Sequence, residues 1–468
     1  MVFLSKIEYD IACNIVCYLG GSIVRIVVVG AGKLGYSIAE RLSQEEYDVI
    51  VVDNDSSRLE TIQASLDVLA IEANGSSPIT MNNDDIRGAD VLIAVTATDE
   101  VNMVSCILAK KHGIKRTIAR IRDMQFMSEA KEYLKANFDI DLMLNPELIM
   151  AMEINRILMV PAALNIEDFA DGQVRLFETK IKKKSPLANI KLKDLDMPNT
   201  IMAAMIFRGQ RMILPHGDDS FLSGDNAYFI GLTQDIDNFS KNLVKRNASK
   251  LNKVTIVGAG RMGRFVATML DKQNVRVKIF DTNKDRCRLV ASMFKNHGKA
   301  IWADAADTSK MLEEGINEAD ALICLTDDDK LNFLLALLGK HHGVKKTIIR
   351  QAKTDYKSIL AELGVDISLS SRILATNEVL AFVRGNSAVS LLQDARAEVT
   401  EVTIQDGCSV CNKKLMEAKL PKSCLLCAYV KDDVVEIPNG NTVLAAGGRA
   451  IIITEKQATT KVLKYFYN

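Results

Sequence analysis

The stretch Ile23-Val-Arg-Ile26-Val-Val-Val29-Gly30-Ala31-Gly32-Lys33-Leu34-Gly35, with the apolar run Val49 to Val52 and its closing Asp53, decides how the rest of the chain reads. A β-branched run enters a G-x-G-x-x-G turn, a helical period follows, and a second apolar run ends on an acid. The same order returns from Val254 to Asp281, with Gly258-Ala259-Gly260-Arg261-Met262-Gly263 as the turn. All three glycines and the closing acid are displaced by 228 residues. One glycine set marks a turn and little else; placed between a strand and a helix, with an acid after the next strand, it predicts a dinucleotide crevice. The first glycine permits the turn, the second lets backbone approach a pyrophosphate, and the third brings helix and strand together. The helix start then presents unpaired N–H groups and partial positive charge to phosphates. Asp53 and Asp281 accept hydrogen bonds from a ribose diol and disfavour a 2′-phosphate, so NAD(H), ATP or ADP suit the two sites better than NADP. Lys33 and Arg261 stand where a basic side chain reaches the phosphates.

At 468 residues the chain exceeds one core and should hold two to four domains. Nearly half of it is hydrophobic and a quarter charged, the balance of a folded globular protein. The formal charge is zero, which gives no support to nucleic-acid binding. Nine scattered cysteines do not make a compact secreted framework and favour a reducing compartment. The apolar region Ile11 to Val29 is interrupted by Asn14, the Gly20-Gly21 pair and Arg25, so no membrane span is expected there. Residues 1–22 read as a non-secretory extension ahead of Ile23.

The repeat continues downstream with its offset moved to 230. Ala89-Asp90-Val-Leu-Ile-Ala-Val-Thr96-Ala97-Thr-Asp99-Glu-Val-Asn102 parallels Ala319-Asp320-Ala-Leu-Ile-Cys-Leu-Thr326-Asp-Asp-Asp329-Lys-Leu-Asn332; His112-Gly113 parallels His342-Gly343, and Arg120 parallels Arg350. Strands are expected over Val91–Val95 and Thr117–Ile121, with a helix over Val101–Lys111. Near-continuous apolar strands alternating with helices imply βαβ units and a parallel sheet. Thr96, Ala97 and Thr326 fall at the carboxyl ends of strands, the ligand edge of such a sheet. Asp99 and Asp329 fit either that edge or a helix start, and Arg120 either a phosphate or a local ion pair. His112 and His342 suit helix ends rather than catalysis.

Pro146 to Val160 and its counterpart Ser371 to Arg384 carry apolar faces too wide for surface helices, suiting either a crossover into a neighbouring lobe or partner chain, or a buried connection. Two small β-rich modules follow, one after each helix, the second covering Glu398 to Thr454. Cys408-Ser-Val-Cys411 and Cys424-Leu-Leu-Cys427 have zinc-site spacing. Cys424 to Val430 reads as a strand, however, where residues three apart face opposite sides, so buried thiols are the better expectation than a metal.

The expected boundaries are therefore 1–22 for the extension, 23–144 and 251–370 for the nucleotide domains, 145–163 and 371–394 for the crossover helices with their linkers, and 164–247 and 395–468 for the small lobes.

These residues, with Ala-Val-Thr96-Ala-Thr-Asp99-Glu-Val-Asn102-Met, Ile-Ala-Arg120-Ile-Arg122 and Ala-Leu-Asn165-Ile-Glu-Asp-Phe-Ala-Asp-Gly172, closely resemble the TrkA family of Trk potassium-uptake systems, built of tandem RCK (regulator of potassium conductance) units. The resemblance spans nearly everything from Ile23. It implies an α/β fold of two Rossmann-like, doubly wound parallel-sheet domains, each followed by a crossover helix and a small α+β RCK C-terminal lobe. It also implies NAD(H) binding, with ATP or ADP as further ligands, and a cytoplasmic, non-enzymatic regulator lying on the inner face of the membrane. A homo-oligomer of four chains and eight RCK units beneath a potassium-translocating subunit is the expected assembly. Two departures touch the adenosine region: Ala73-Asn74-Gly75-Ser76 stands where the family has a glycine-containing turn, and Ala303-Asp304-Ala305 replaces Gly-Asp-Ala. Asn74 and Asp304 are expected to contact the nucleotide. The competing readings are an NAD-dependent dehydrogenase and a nucleotide sensor with no membrane partner. A dehydrogenase needs a positioned acid or base beside the nicotinamide, and the repeat carries no such set.

Overall fold

Residues such as Val27 and Val28 have no polar side, and burying both faces of such a run requires helices above and below a parallel sheet. The computed structural model does this twice. It describes residues 24–127, 137–159, 164–183, 185–209, 211–243, 251–352, 363–384, 389–392 and 396–467; the expected 1–22 extension lies outside them. In the first half, β1 (Arg25–Val29), β2 (Asp48–Asp53), β3 (Leu69–Glu72), β4 (Val91–Ala94), β5 (Arg116–Arg120) and β6 (Leu142–Leu144) form one parallel sheet ordered β3-β2-β1-β4-β5-β6. In the second half, β12 (Lys253–Val257), β13 (Arg276–Asp281), β14 (Lys299–Trp302), β15 (Ala321–Cys324), β16 (Lys346–Arg350) and β17 (Ile367–Leu369) repeat it as β14-β13-β12-β15-β16-β17. Strand order reverses beside β1 and beside β12, which puts a crevice at the carboxyl end of each.

Each small lobe is an antiparallel sheet of five strands. The first comprises β7 (Asn165–Phe169), β8 (Val174–Lys180), β9 (Ile201–Arg208), β10 (Arg211–Ile213) and β11 (Asn226–Leu232), and β7 is an edge strand that the sequence pattern did not separate. The second comprises β18 (Val389–Leu392), β19 (Ala397–Thr403), β21 (Cys424–Lys431), β22 (Val434–Glu436) and β24 (Arg449–Glu455), with β20 (Lys413–Lys414) and β23 (Val443–Leu444) pairing separately. The two lobes share one core: Leu176, Ala204 and Tyr228 of the first pack with Val399, Ala428 and Ile451 of the second. Glu401, 2% exposed, accepts from Ala170 N at 2.8 Å and pairs with Arg449 at 3.1 Å, while Arg449 also reaches Asp171 at 2.9 Å.

The connecting helices are exchanged between the halves. The first linker helix, Pro146–Met159, leaves the first sheet but buries Met150, Ala151, Ile154, Ile157 and Leu158 in the core of the second. The second linker helix, Ser371–Arg384, returns the arrangement by burying Ala375, Val379, Leu380 and Val383 beside Ile26, Val28 and Ile38 of the first. The crossover is thus into the neighbouring unit of the same chain, and the breadth of the apolar face follows because the two linker helices also pack on each other. Basic residues at equivalent strand starts hold the helix ends. Arg116 donates to the carbonyls of Phe382 and Val383 at 3.1 Å, and Lys346 donates to that of Ile157 at 3.3 Å, each a cation at a negative helix end.

Candidate functional site

The three glycines of each turn have three different surroundings. Gly30 sits at φ +109°, and a Cβ there would lie 3.0 Å from Thr96 N. A Cβ on Gly35 would fall 1.8 Å from the carbonyl oxygen of Gly30, so the third glycine is what lets the helix Lys33–Ser43 approach β1. Around Gly32 an added Cβ meets nothing within 4 Å. Gly258, Gly263 and Gly260 repeat this set, with φ +103° at the first and a 1.9 Å clash at the second. The open position in each turn is the one next to the helix start.

Those helix starts lack the usual partners. Gly32 and Gly260 cap the helices Lys33–Ser43 and Arg261–Lys272 with no side-chain hydrogen bond, and neither first turn carries an acid. Elsewhere Asp55, Asn283, Asp307 and Asp328 cap the helices that follow them. Uncapped N–H groups at a helix start favour an anion. The acids close each turn: Asp53 accepts from Ala31 N at 2.5 Å and Asp55 N at 3.0 Å, and Asp281 accepts from Ala259 N and Asn283 N, both at 2.7 Å. A carboxylate has about four acceptor positions, so two such bonds leave room for a ribose diol. Arg58 and Arg286 approach the same acids at 3.9 and 3.8 Å.

The far wall is set by Asn102 and Asn332, fully buried residues that the sequence repeat displayed without revealing their task. Asn102 accepts from Thr96 N at 2.8 Å and Thr96 Oγ1 at 2.7 Å, and donates to the Arg120 carbonyl at 2.9 Å. Asn332 does the same for Thr326 and Arg350, at 3.0, 2.7 and 3.1 Å. Each amide thereby fastens the fourth strand's end to the fifth's. Asp99 and Asp329 stand outside the cavity wall: Asp99 accepts from Arg122 N at 2.8 Å and Asp123 N at 2.9 Å, and Asp329 from Ala352 N at 2.8 Å. Their carboxylates hold the loop after the fifth strand, because the helix start they occupy faces that loop and not the crevice.

Both crevices open into one cavity of about 1100 Å³. Gly30, Gly32, Lys33, Leu34, Asp53, Asn74, Thr96, Ala97 and Arg120 line one side, and Gly258, Gly260, Arg261, Met262, Asp281, Asp304 and Thr326 the other. Ala31, Gly35, Ala259 and Gly263 build the turns without lining it. Asn74 and Asp304 spend a side-chain oxygen on their own turns, accepting from Ser76 N at 3.0 Å and Ala306 N at 2.9 Å. Between the two sides lies Glu147, from the start of the first linker helix, 3.3 Å from Arg261 and 3.8 Å from Arg120. Cations outnumber acids, with Arg264, Arg350 and Arg372 added from the second half. Burial holds the Arg120 guanidinium below its ordinary value, Glu147 opposing and Arg122 and Arg261 assisting. Burial lowers Arg264 too, and the like charges of Arg261 and Arg286 add to it. Guanidinium groups crowded together under partial desolvation are stabilised by an anion.

His112 donates from Nδ1 to the Leu108 carbonyl, 2.8 Å away, as a helix-end residue. Among the described residues no histidine lines the cavity. Cys427 is fully buried in β21, which bulges at that position, and among the described residues no cluster of three or more His, Cys, Asp or Glu side chains is placed to hold a metal ion. Nor, among them, is any helix long and apolar enough to cross a membrane.

The TrkA-N domain family matches residues 26–146 and 254–371, and the TrkA-C domain family matches 176–244 and 399–467. The chain is 33% identical over 453 residues to Trk system potassium uptake protein TrkA homolog 1 of Methanosarcina mazei, covering 95% of this chain and all of that one. It is 30% identical over 457 residues to Trk system potassium uptake protein TrkA of Halomonas elongata, covering 95% and 98%. In structure it is similar to the GsuK RCK domain, with a TM-score of 0.62 at 17% identity over 95% of each chain. The GsuK channel bound to NAD gives the same score over 95% of this chain and 79% of that one.

Proposed function

The chain belongs to the TrkA family of Trk potassium-uptake proteins, and on that footing we propose that it is a nucleotide-binding regulatory subunit that gates a membrane potassium-translocating partner. The observation that carries the reading is the single cavity into which two uncapped helix starts, two ribose-type acids and a surplus of guanidinium groups converge. NAD(H) fits these elements, and ATP or ADP presents the same adenosine and phosphates. The function is binding and not catalysis: the cavity offers arginines, threonines and backbone amides, and these hold and orient an anion. A bound nucleotide draws Arg120 and Arg261 toward phosphate and away from Glu147, which is the first residue but one of a linker helix embedded in the other half. A shift of either sheet is thereby transmitted to its neighbour, and through a homo-oligomeric ring of four chains to the membrane partner at the cytoplasmic face. Gating requires that the nucleotide bind two conformations with unequal affinity, since equal affinity shifts nothing.

Calorimetry of the purified chain with NADH, NAD, ATP and ADP tests the binding. Asp53→Ala should abolish one site and Asp281→Ala the other. Potassium flux in vesicles holding the membrane subunit should then change on adding the full chain and respond to nucleotide. Saturable binding with no effect on flux would sink the gating step; turnover of NADH with added hydroxy acids would replace the whole reading with an oxidoreductase.

A further inference from the structure

The chain has a single tryptophan, and it is 60% exposed. An exposed indole is unusual, because burying so large an apolar surface is strongly favourable. Trp302 is the last residue of β14 and stands in direct register with Asp281. In a doubly wound unit the pyrophosphate lies at the β12 turn and the ribose at the acid ending β13, so the base continues outward over the next strand. That places Trp302 one strand spacing, about 4.8 Å, beyond the ribose acid. Trp302 does not itself line the cavity, but Ala303, the residue after it, and Thr282, which follows Asp281, both do. The indole N–H donates to the Thr282 carbonyl at 3.0 Å, which fixes the ring, and the Lys284 ammonium lies 4.8 Å from its centroid. A cation covers one face of an aromatic ring and leaves the other open to a π-system. In the first unit the register partner of Asp53 is Glu72, a carboxylate with no stacking face.

We propose that Trp302 is the base-stacking residue of the second nucleotide site, and that the first site lacks this contact. This rests on the nucleotide reading given above and deepens it: the two sites share phosphate and ribose chemistry but differ in how they hold the base. Base-on-aromatic stacking typically changes affinity by about tenfold or more.

The test uses the full chain carrying Asp53→Ala, so that only the second site is occupied. Adding Trp302→Ala should weaken ADP binding about tenfold, whereas Trp302→Phe should weaken it by less than about threefold. Binding of inorganic pyrophosphate, which has no base, should be the same in all three. ADP should also change the emission of Trp302 in the otherwise unaltered chain and in Asp53→Ala, but not in Asp281→Ala. Equal ADP affinity with and without the indole overturns the assignment of Trp302 and leaves the nucleotide reading standing. So does an equal loss for pyrophosphate and ADP, which would mark a structural role. Failure of the unaltered chain to bind ADP or pyrophosphate overturns both.

Discussion

At the scale of single residues, Gly32 and Gly35 separate two jobs that a motif runs together. Gly35→Ala puts a methyl group 1.8 Å from the Gly30 carbonyl oxygen, and the backbone must move. It should cost about 1–3 kcal/mol in urea unfolding, the range of overpacked cores, and nucleotide binding with it. Gly32→Ala has open space and a φ of −71°, so unfolding should change by less than about 1 kcal/mol. Gly32 lines the cavity, so under the proposed nucleotide-binding function its methyl group would stand in the pyrophosphate's approach, and calorimetry should show lost affinity in a fully folded protein. Loss of both properties in both variants would mean that Gly32 is a packing residue. These glycine roles and the acids could be read from the sequence, because each depends on neighbours within one βαβ unit. The roles of Asp99 and Asp329 could not, since their partners are N–H groups about two dozen residues away.

At the scale of elements, the linker helices carry most of what is particular to this protein. Leu380 belongs to the second half but lies in the first half's core. Leu380→Ala should therefore destabilise the first sheet, by about 2–5 kcal/mol, and speed amide exchange in β1 more than in β12. The reverse order of exchange would rule out the swapped packing. Where the first linker helix meets its small lobe, Arg156 is surrounded by Glu153, Glu167 and Asp168. One guanidinium cannot balance three carboxylates, and burial pushes the most enclosed of them, Glu153, up to about 8 from its ordinary 4.5, against the pull of Arg156. A raised carboxyl stabilises the fold while protonated: the contribution is complete below about pH 4.5 and is lost as pH rises through about 8. Melting temperature should consequently fall between about pH 5 and 8, and Glu153→Gln should flatten that fall. An unaltered slope in the variant would place the titration elsewhere.

At the scale of the whole molecule, the two halves complete each other. Residues 24–243 alone would expose Met150, Ile154, Ile157 and Leu158, and residues 251–467 alone would expose Ala375, Val379 and Leu380. Each half also leaves open its face of the core shared by the small lobes. Apolar faces of this size do not persist in water. Expressed singly, each half should aggregate or pair with its own copy; expressed together, they should co-purify as a complex of one copy of each. A monomeric, cooperatively unfolding single half would contradict the exchanged arrangement. The shared cavity follows from the same exchange, since it seats Glu147 of one half beside Arg261 of the other.

The sequence alone determined the duplication, the parallel sheets, the glycine turns and the acids that close them, because these arise from local periodicity and from contacts inside one strand–turn–helix unit. Tertiary structure decided which unit each linker helix enters, that both crevices share one cavity, and that Glu147 stands between its two sides. Those outcomes rest on pairings between segments far apart in the chain. Exchanged and unexchanged helices would bury the same apolar faces, and only the packing of the assembled halves distinguishes them.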